Sequence, residues 1–290
     1  MSVVGRLGKT LLSSYFVLLA IFLYAPLVVL LIFAFNNDTT MAFPIHSFST
    51  KWFHAGLTDS NLIDAMVRSA TIAVVNGVAA TLLGVLAALG LAARRLPMRR
   101  AVLTLILLPL VVPYIVLAVG LVVLLKEFGT STSLTAVLAG HVVISLPYAV
   151  LVILPRLRTL DPSILEAARD LGASGVKAFA LVTLPLLAPA LLSSFLIAFT
   201  VSFDEFAIAS FLSPPGQPTY PVFLYTGSRT PALLPEVVAM GSIVILLSLL
   251  VVVFAEVARR WAERRMAAAD DAPRAPAATG APAGATAASA

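Results

Sequence analysis

Asp204 and Glu205 are adjacent carboxylates inside an apolar run, 186–212, that is long enough to cross a bilayer. They lie within roughly 10 Å of one end of that run, and an ionised side chain at such depth is costly unless it is paired or faces water. Their chemistry is the attraction of positive charge. Neighbouring helical positions point about 100° apart, so the two acids cannot share one narrow face: one lines a polar path while the other meets a neighbouring helix or Arg229. Phe195, Phe199, Phe203 and Phe206 recur beside them at helical spacing, and aromatic faces next to carboxylates suit a flexible polycation through charge attraction and cation–π contact. Ordinary packing accounts for the same stripe.

A second constellation lies between two other apolar runs, where a charged, water-facing segment carries Glu166, Ala167, Ala168, Asp170, Leu171 and Gly172, followed by Val182, Leu184 and Pro185. Asp161-Pro162 is a helix start, with Asp as cap and Pro at the first helical position. Ile164, Leu165, Ala168 and Leu171 form an apolar stripe, so the spacing predicts a short helix over 162–171. Gly172 ends it in the left-handed conformation that glycine adopts without strain. The chain turns at Ser174-Gly175, a second helix begins, and Pro185 marks the start of the next span. A short amphipathic helix fixed at both ends by membrane helices moves with them and transmits a push from a partner. A membrane-surface helix without a partner is the plainer alternative.

Other chemistries are excluded. The chain has no cysteine, hence no disulfide, thiolate metal site or cysteine nucleophile. His46, His54 and His141 are scattered without an i, i+4 pair, so no metal site is expected. No catalytic constellation is present, and the chain is read as no enzyme. Gly5-Arg6-Leu7-Gly8-Lys9-Thr10 is a poor phosphate loop: the first glycine of the motif is missing and no strand precedes it.

The elements that must position these residues follow from composition. With 60% apolar and 11% charged residues and a mean hydropathy of +1.02, the chain cannot cover a soluble globule and belongs in a membrane. Backbone groups in lipid must be satisfied within their own segment, and the runs lack strand alternation, so the fold is all-α. Runs of about 20 residues, the length that spans a hydrocarbon core, fall at 11–35, 66–93, 101–125, 134–155, 186–212 and 237–258. That predicts a six-helix bundle over 11–262, after a short segment 1–10. The first run is too long for a cleaved leader. Pro26, Pro109, Pro113 and Pro147 should kink their spans. Ala80, Gly84 and Ala88 in the second span form a small-residue packing face.

Basic residues set the orientation. Arg6, Lys9, Arg94, Arg95, Arg99, Arg100, Arg156, Arg158, Arg169, Lys177 and the arginines after the last span share one side, so both termini are cytoplasmic. The net charge of +5 reflects this asymmetry, and no nucleic-acid partner is implied. On the opposite side, the segments 36–64 and 213–236 could receive a delivering protein or simply anchor at the lipid interface through Trp52 and Tyr220. The tail 263–290 is rich in Ala, Pro and Gly and is expected to be disordered.

The 166–185 stretch resembles the signature loop of the membrane subunits of ATP-binding-cassette importers. Glu-Ala-Ala, three residues, Gly, nine residues, then an aliphatic residue, any residue and Leu-Pro is matched by Glu166, Ala167, Ala168, Gly172, Val182, Leu184 and Pro185. Within those importers the chain is most similar to the second permease subunit of spermidine/putrescine systems, from about residue 10 to 262. Ser69-Ala70-Thr71, the Leu108-Pro109 to Pro113 segment, and Ser202-Phe203-Asp204-Glu205-Phe206 carry that likeness. The resemblance implies a type I importer permease of the bacterial inner membrane, with a coupling helix between helices four and five docked on a separate ATPase. Its implied partners are two ATPase subunits, a related permease subunit, an extracytoplasmic solute-binding protein and membrane lipid. It implies no cofactor of its own, ATP being bound by the partner subunits. Asp204, Glu205, Phe203 and Phe199 become candidate pathway residues for a polyamine-like solute. The same importer type carrying an opine, aminoalkylphosphonate, thiamine or ferric ion is the alternative, and an ATP-independent secondary transporter is the rival class.

Overall fold

A computed structural model describes residues 3–93, 97–247 and 249–250. Among them the regular structure is helical, apart from an isolated bridge between Asn36 and Phe48. The elements are α1 (Val3–Ala34), α2 (Lys51–Thr58), α3 (Ser60–Ala92), α4 (Arg99–Leu107), α5 (Tyr114–Glu127), α6 (Leu134–Thr159), α7 (Pro162–Asp170), α8 (Gly175–Ala178), α9 (Leu184–Phe203), α10 (Ala207–Leu212) and α11 (Tyr220–Ser228). A further apolar helix, α12, runs over Leu234–Leu247. Residues Met1–Gly241 form one compact unit and Ser242–Ala290 a second. Arg94, Arg95, the end of the predicted span 237–258 and the tail 263–290 lie outside the described residues.

The core is built where α3, α6 and α9 pack on one another. The first two can approach closely because their contact is made by small residues. Ala80 and Ala88 are fully buried, and a Cβ on Gly84 would stand 2.6 Å from that of Ala149 on α6, so the packing face read in the second span lies in the core. Towards one end Val85, Ala88 and Leu91 pack on Ala149, Val150, Ile153 and Leu154. Towards the other, Ile72, Val137 and Ile144 enclose Ala118 of α5 and Ile208, Ala209 and Leu212 of α10. Between these clusters the buried Asn76 of α3 donates to Ser145 Oγ of α6 and to the Ala198 carbonyl of α9, both at 2.9 Å. One amide thus ties three helices at one level, where an unpaired polar group would be expensive.

Two predicted spans differ in detail. The run 101–125 is not one kinked helix: Arg99–Leu110 and Tyr114–Glu127 meet at 102°. Pro109 and Pro113 remove two backbone donors, and the residue before a proline is driven out of the helical region. The run 186–212 is not one helix either, since it breaks after Phe203. Nor does it begin at Pro185: the helix is continuous from Gly175 to Phe203, through a π-helical turn over Phe179–Thr183. Leu184 N–H reaches back five residues to the Phe179 carbonyl, and this wider turn absorbs the donor that Pro185 lacks. Among the described residues four helices are long and apolar enough to cross a membrane, or five if the bent pair is one span. In α1 the window tested for spanning, with hydropathy 3.0, has none of its residues buried, so its apolar surface needs lipid or another protein to cover it.

Candidate functional site

The break after α9 is organised by Glu205. Asp204 ends the helix, its N–H bonded to the Thr200 carbonyl at 3.2 Å, and α10 restarts at Ala207 with free backbone donors in its first turn. Glu205 Oε1 accepts from Ile208 N–H at 2.9 Å and Oε2 from Ala209 N–H at 3.0 Å. The same Oε2 lies 3.2 Å from His141 Nε2 of α6, with side-chain exposures of 1% for the histidine and 2% for the glutamate. His141 Nδ1 is 2.7 Å from Ser202 Oγ. The two ring nitrogens thus face different partners: Nδ1 meets the serine hydroxyl within hydrogen-bond reach, and Nε2 approaches the carboxylate as an ion-pair contact. A carboxylate so buried is tolerable because two backbone donors and the His141 ring surround it.

His141, to which the sequence assigned no role, has a carboxylate neighbour on another element. The signal available was its position inside an apolar span, where a titratable ring has to find a partner; what hid that partner was the separation of the two residues along the chain. Arg229 meets neither acid: its guanidinium lies 5.0 Å over the Tyr225 ring and donates to the tyrosine hydroxyl. Of the two routes open to the second acid, Glu205 takes the neighbouring helix.

Asp204 points the other way. It is exposed and has no hydrogen bond or ion pair through its side chain among the described residues. Beside it the rings of Phe195, Phe199 and Phe203 stack along α9 at 6.3 and 5.8 Å between centroids. Tyr220 continues the row, 6.1 Å from Phe203. Its place is set from α3: Ser69 Oγ accepts from Tyr220 N–H at 2.8 Å, and Arg68 donates to the Pro218 carbonyl. Phe206, expected as the fourth member of the stripe, is displaced by the break and packs instead on Tyr225 at 4.7 Å. The result is one exposed carboxylate that lies in the chain between Phe203, in the row, and Phe206, on Tyr225, and carboxylates and ring faces both attract cations. Among the described residues there is no group of three or more metal-ligating side chains.

The other candidate segment folds as its residues dictate. Asp161 caps α7 by accepting from Ser163 N–H at 2.9 Å, and that bond holds its carboxyl below the ordinary carboxylate range. Gly172, at φ +84, closes the helix: its N–H bonds the Arg169 carbonyl at 2.8 Å and Ala173 N–H bonds that of Ala168 at 3.0 Å. These two bonds make a complete Schellman motif. Glu166, Ala167, Asp170 and Gly172 are exposed, Ala168 half-buried, and Leu171 is 90% exposed. An apolar side chain so far out of contact offers itself to a partner. Beneath α7 a groove of about 540 Å³ is lined by Leu89, Leu157, Ile164, Phe179 and Val182. Leu184 and Pro185 begin α9 and Asp204 follows its end, so the two segments are about 30 Å apart along this 20-residue helix.

Residues 80–268 match the family described as binding-protein-dependent transport system inner membrane component. The spermidine/putrescine transport system permease protein PotC of Haemophilus influenzae is 35% identical over 239 residues, 82% of this chain and 92% of that protein. PotC of Escherichia coli K12 is 30% identical over 254 residues, 88% and 96% of the two chains. The putrescine permease PotI of the same strain is 35% identical over 231 residues, 77% and 82%. In fold the chain is similar to a chain from the crystal structure of a bacterial ABC transporter involved in the import of the acidic polysaccharide alginate. The TM-score is 0.70 at 18% identity, covering 88% of this chain and 95% of that one. A chain from the alginate transporter bound to its periplasmic protein gives 0.67 at 19%, covering 86% and 92%.

Proposed function

Because the chain belongs to the family of binding-protein-dependent transport system inner membrane components, and so is a permease subunit of an ATP-binding-cassette importer, we propose that it forms half of the pathway for a polyamine-like cation. The observation that carries the cargo is Asp204: an exposed carboxylate without a recorded partner among the described residues, following Phe203 of the aromatic row and preceding Phe206, which packs on Tyr225. A flexible chain of ammonium groups exchanges water for that carboxylate and those ring faces. An anionic cargo would be repelled there. Relatives named for spermidine and putrescine transport support the same reading.

The segment from Glu166 to Gly172 is the coupling helix, with Leu171 as the side chain presented to an ATPase subunit. Two such ATPases, a second, related permease and an extracytoplasmic binding protein complete the importer. Counting the bent pair α4–α5 as one span and the run from Leu234 as the last gives six spans with both termini cytoplasmic. α7 sits between α6 and α9, whose helical rods run from the coupling helix to the level of His141 and Asp204. Movement of the ATPases is thereby delivered about 30 Å away, to the site where the cargo passes.

The test is uptake in proteoliposomes carrying the complete importer, its binding protein outside and ATP inside. Labelled spermidine or putrescine should accumulate only with ATP, and each should compete with the other. Uptake of another solute in preference to both overturns the cargo, and accumulation without ATP overturns the importer mechanism.

A further inference from the structure

Glu205, a candidate pathway residue from the sequence, is the acid tied inward, by two backbone donors and the His141 ring. The network around it draws on every part of the break. Ser202 lies in the last turn of α9, Ile208 and Ala209 in the first turn of α10, and His141 on α6 connects them through its two ring nitrogens. The approach is close: a Cβ on Gly140, beside His141, would stand 2.7 Å from Ile208 Cγ2. Ile208, Ala209 and Leu212 are fully buried on that side.

We propose that His141 is a positioning residue, which holds Glu205 inward across the interrupted backbone and so keeps Asp204 turned outward as the cargo-facing carboxylate. The inference rests on the reading of Asp204 as a pathway residue. Its logic is that of two adjacent acids in one short linker. If the His141 ring is withdrawn, Glu205 keeps only donors that belong to α10 itself, and nothing polar attaches the linker to α6. A buried carboxylate that has lost a charge-assisted partner is driven towards water. The exposed side is the one that Asp204 occupies. A rearrangement of the non-helical linker between Phe203 and Ala207 exchanges the two acids.

The two ring nitrogens make the test selective. Gln at 141 can present its amide nitrogen near the position of Nε2 and still donate to Glu205. Asn reaches only the position of Nδ1 and keeps Ser202 alone. Phe fills the space and does neither. The absence of native cysteine allows Asp204→Cys to report the orientation directly in the full importer, by its rate of modification with a charged methanethiosulfonate read on the permease band. The thiol should react readily beside His141. His141→Gln should leave that rate within about twofold, whereas His141→Asn and His141→Phe should slow it at least about tenfold, because one partner of a buried pair is gone.

ATP-driven spermidine uptake with Asp204 intact should fall in the same order. Assembly is scored by the ATPase that co-purifies, and if His141→Phe does not assemble, the Gln and Asn variants decide. Equal labelling in Gln and Asn variants overturns the proposal, as does slowed uptake with unchanged labelling. Asp204→Asn alone tests the underlying reading: if it transports spermidine normally, Asp204 is not cargo-facing, while the labelling series still reports whether His141 sets its orientation.

Discussion

Gly172 offers the most direct test of the link between local geometry and coupling. Its φ of +84 is costly for side chains with a Cβ, yet no atom lies within 4 Å of where that Cβ would stand. Substitution therefore probes the backbone and nothing else. Alanine in the left-handed region costs about 1–2 kcal/mol, which shifts the closed end of α7 towards an open one by a factor of roughly 5 to 30. Proline is worse. It forces φ to about −65°, deletes the N–H that bonds the Arg169 carbonyl, and disturbs Leu171 before it, a loss of about 3 kcal/mol or more and so some two decades in population. Asparagine, which tolerates this conformation, should cost only a few tenths of a kcal/mol. Expected transport and ATPase coupling run Gly ≈ Asn > Ala ≫ Pro, measured as spermidine taken up per ATP hydrolysed, with hydrogen exchange at the Ala173 amide reporting the motif. A Gly172→Pro importer that couples normally would refute the argument that α7 must end in this way to work on its partner.

Gly84→Val places a branched side chain where a Cβ already meets that of Ala149 at 2.6 Å; overpacking of about 1–3 kcal/mol or more should lower the thermal stability of the detergent-solubilised importer, and an unchanged melting temperature would show that α3 and α6 part easily. Asn76→Leu leaves Ser145 without its buried partner and should destabilise by about 1–3 kcal/mol, with Asn76→Ser intermediate in the same melt. Asp161 has a carboxyl held below the ordinary value by its bond to Ser163 N–H. A depressed folded pKa means that its capping contribution is fully present above the unfolded value and is lost as pH falls through the folded one. Exchange at the Ser163 amide should therefore accelerate on acidification, a pH response that Asp161→Asn removes while retaining the cap; Asp161→Ala should show fast exchange at every pH.

The parts of this protein that were legible in its residues are those whose contacts are short in sequence. The α7 helix is one: its cap joins Asp161 to Ser163 and its closure joins Gly172 and Ala173 to residues of the last turn, so Asp-Pro at one end and Gly at the other suffice to draw it. Apolar length alone marks α3 and α6. The break at 203–206 was not legible in that way. Ser202, Phe203, Asp204 and Glu205 read as continuous helix by propensity, and the chain stops only because Glu205 finds a histidine on α6 and caps a new helix. Tyr220 stood in a proline-rich segment with no sign that Ser69 would hold it at the end of the phenylalanine row. The π-turn before Pro185 was hidden for a related reason, since a missing donor can be absorbed by starting a helix or by widening one, and packing chooses.

By itself, then, the sequence determined a membrane location, helical spans, a capped loop between two of them and an acidic pair set beside aromatic rings, because hydropathy, capping and charge act over a few residues. Which of the two acids faces outward, and which is consumed in holding the backbone, was decided by the meeting of α6 with the α9–α10 break. Ser202 and His141 are 61 positions apart in the chain, and only a packed core brings such distant groups to hydrogen-bond distance and excludes the water that would otherwise satisfy them.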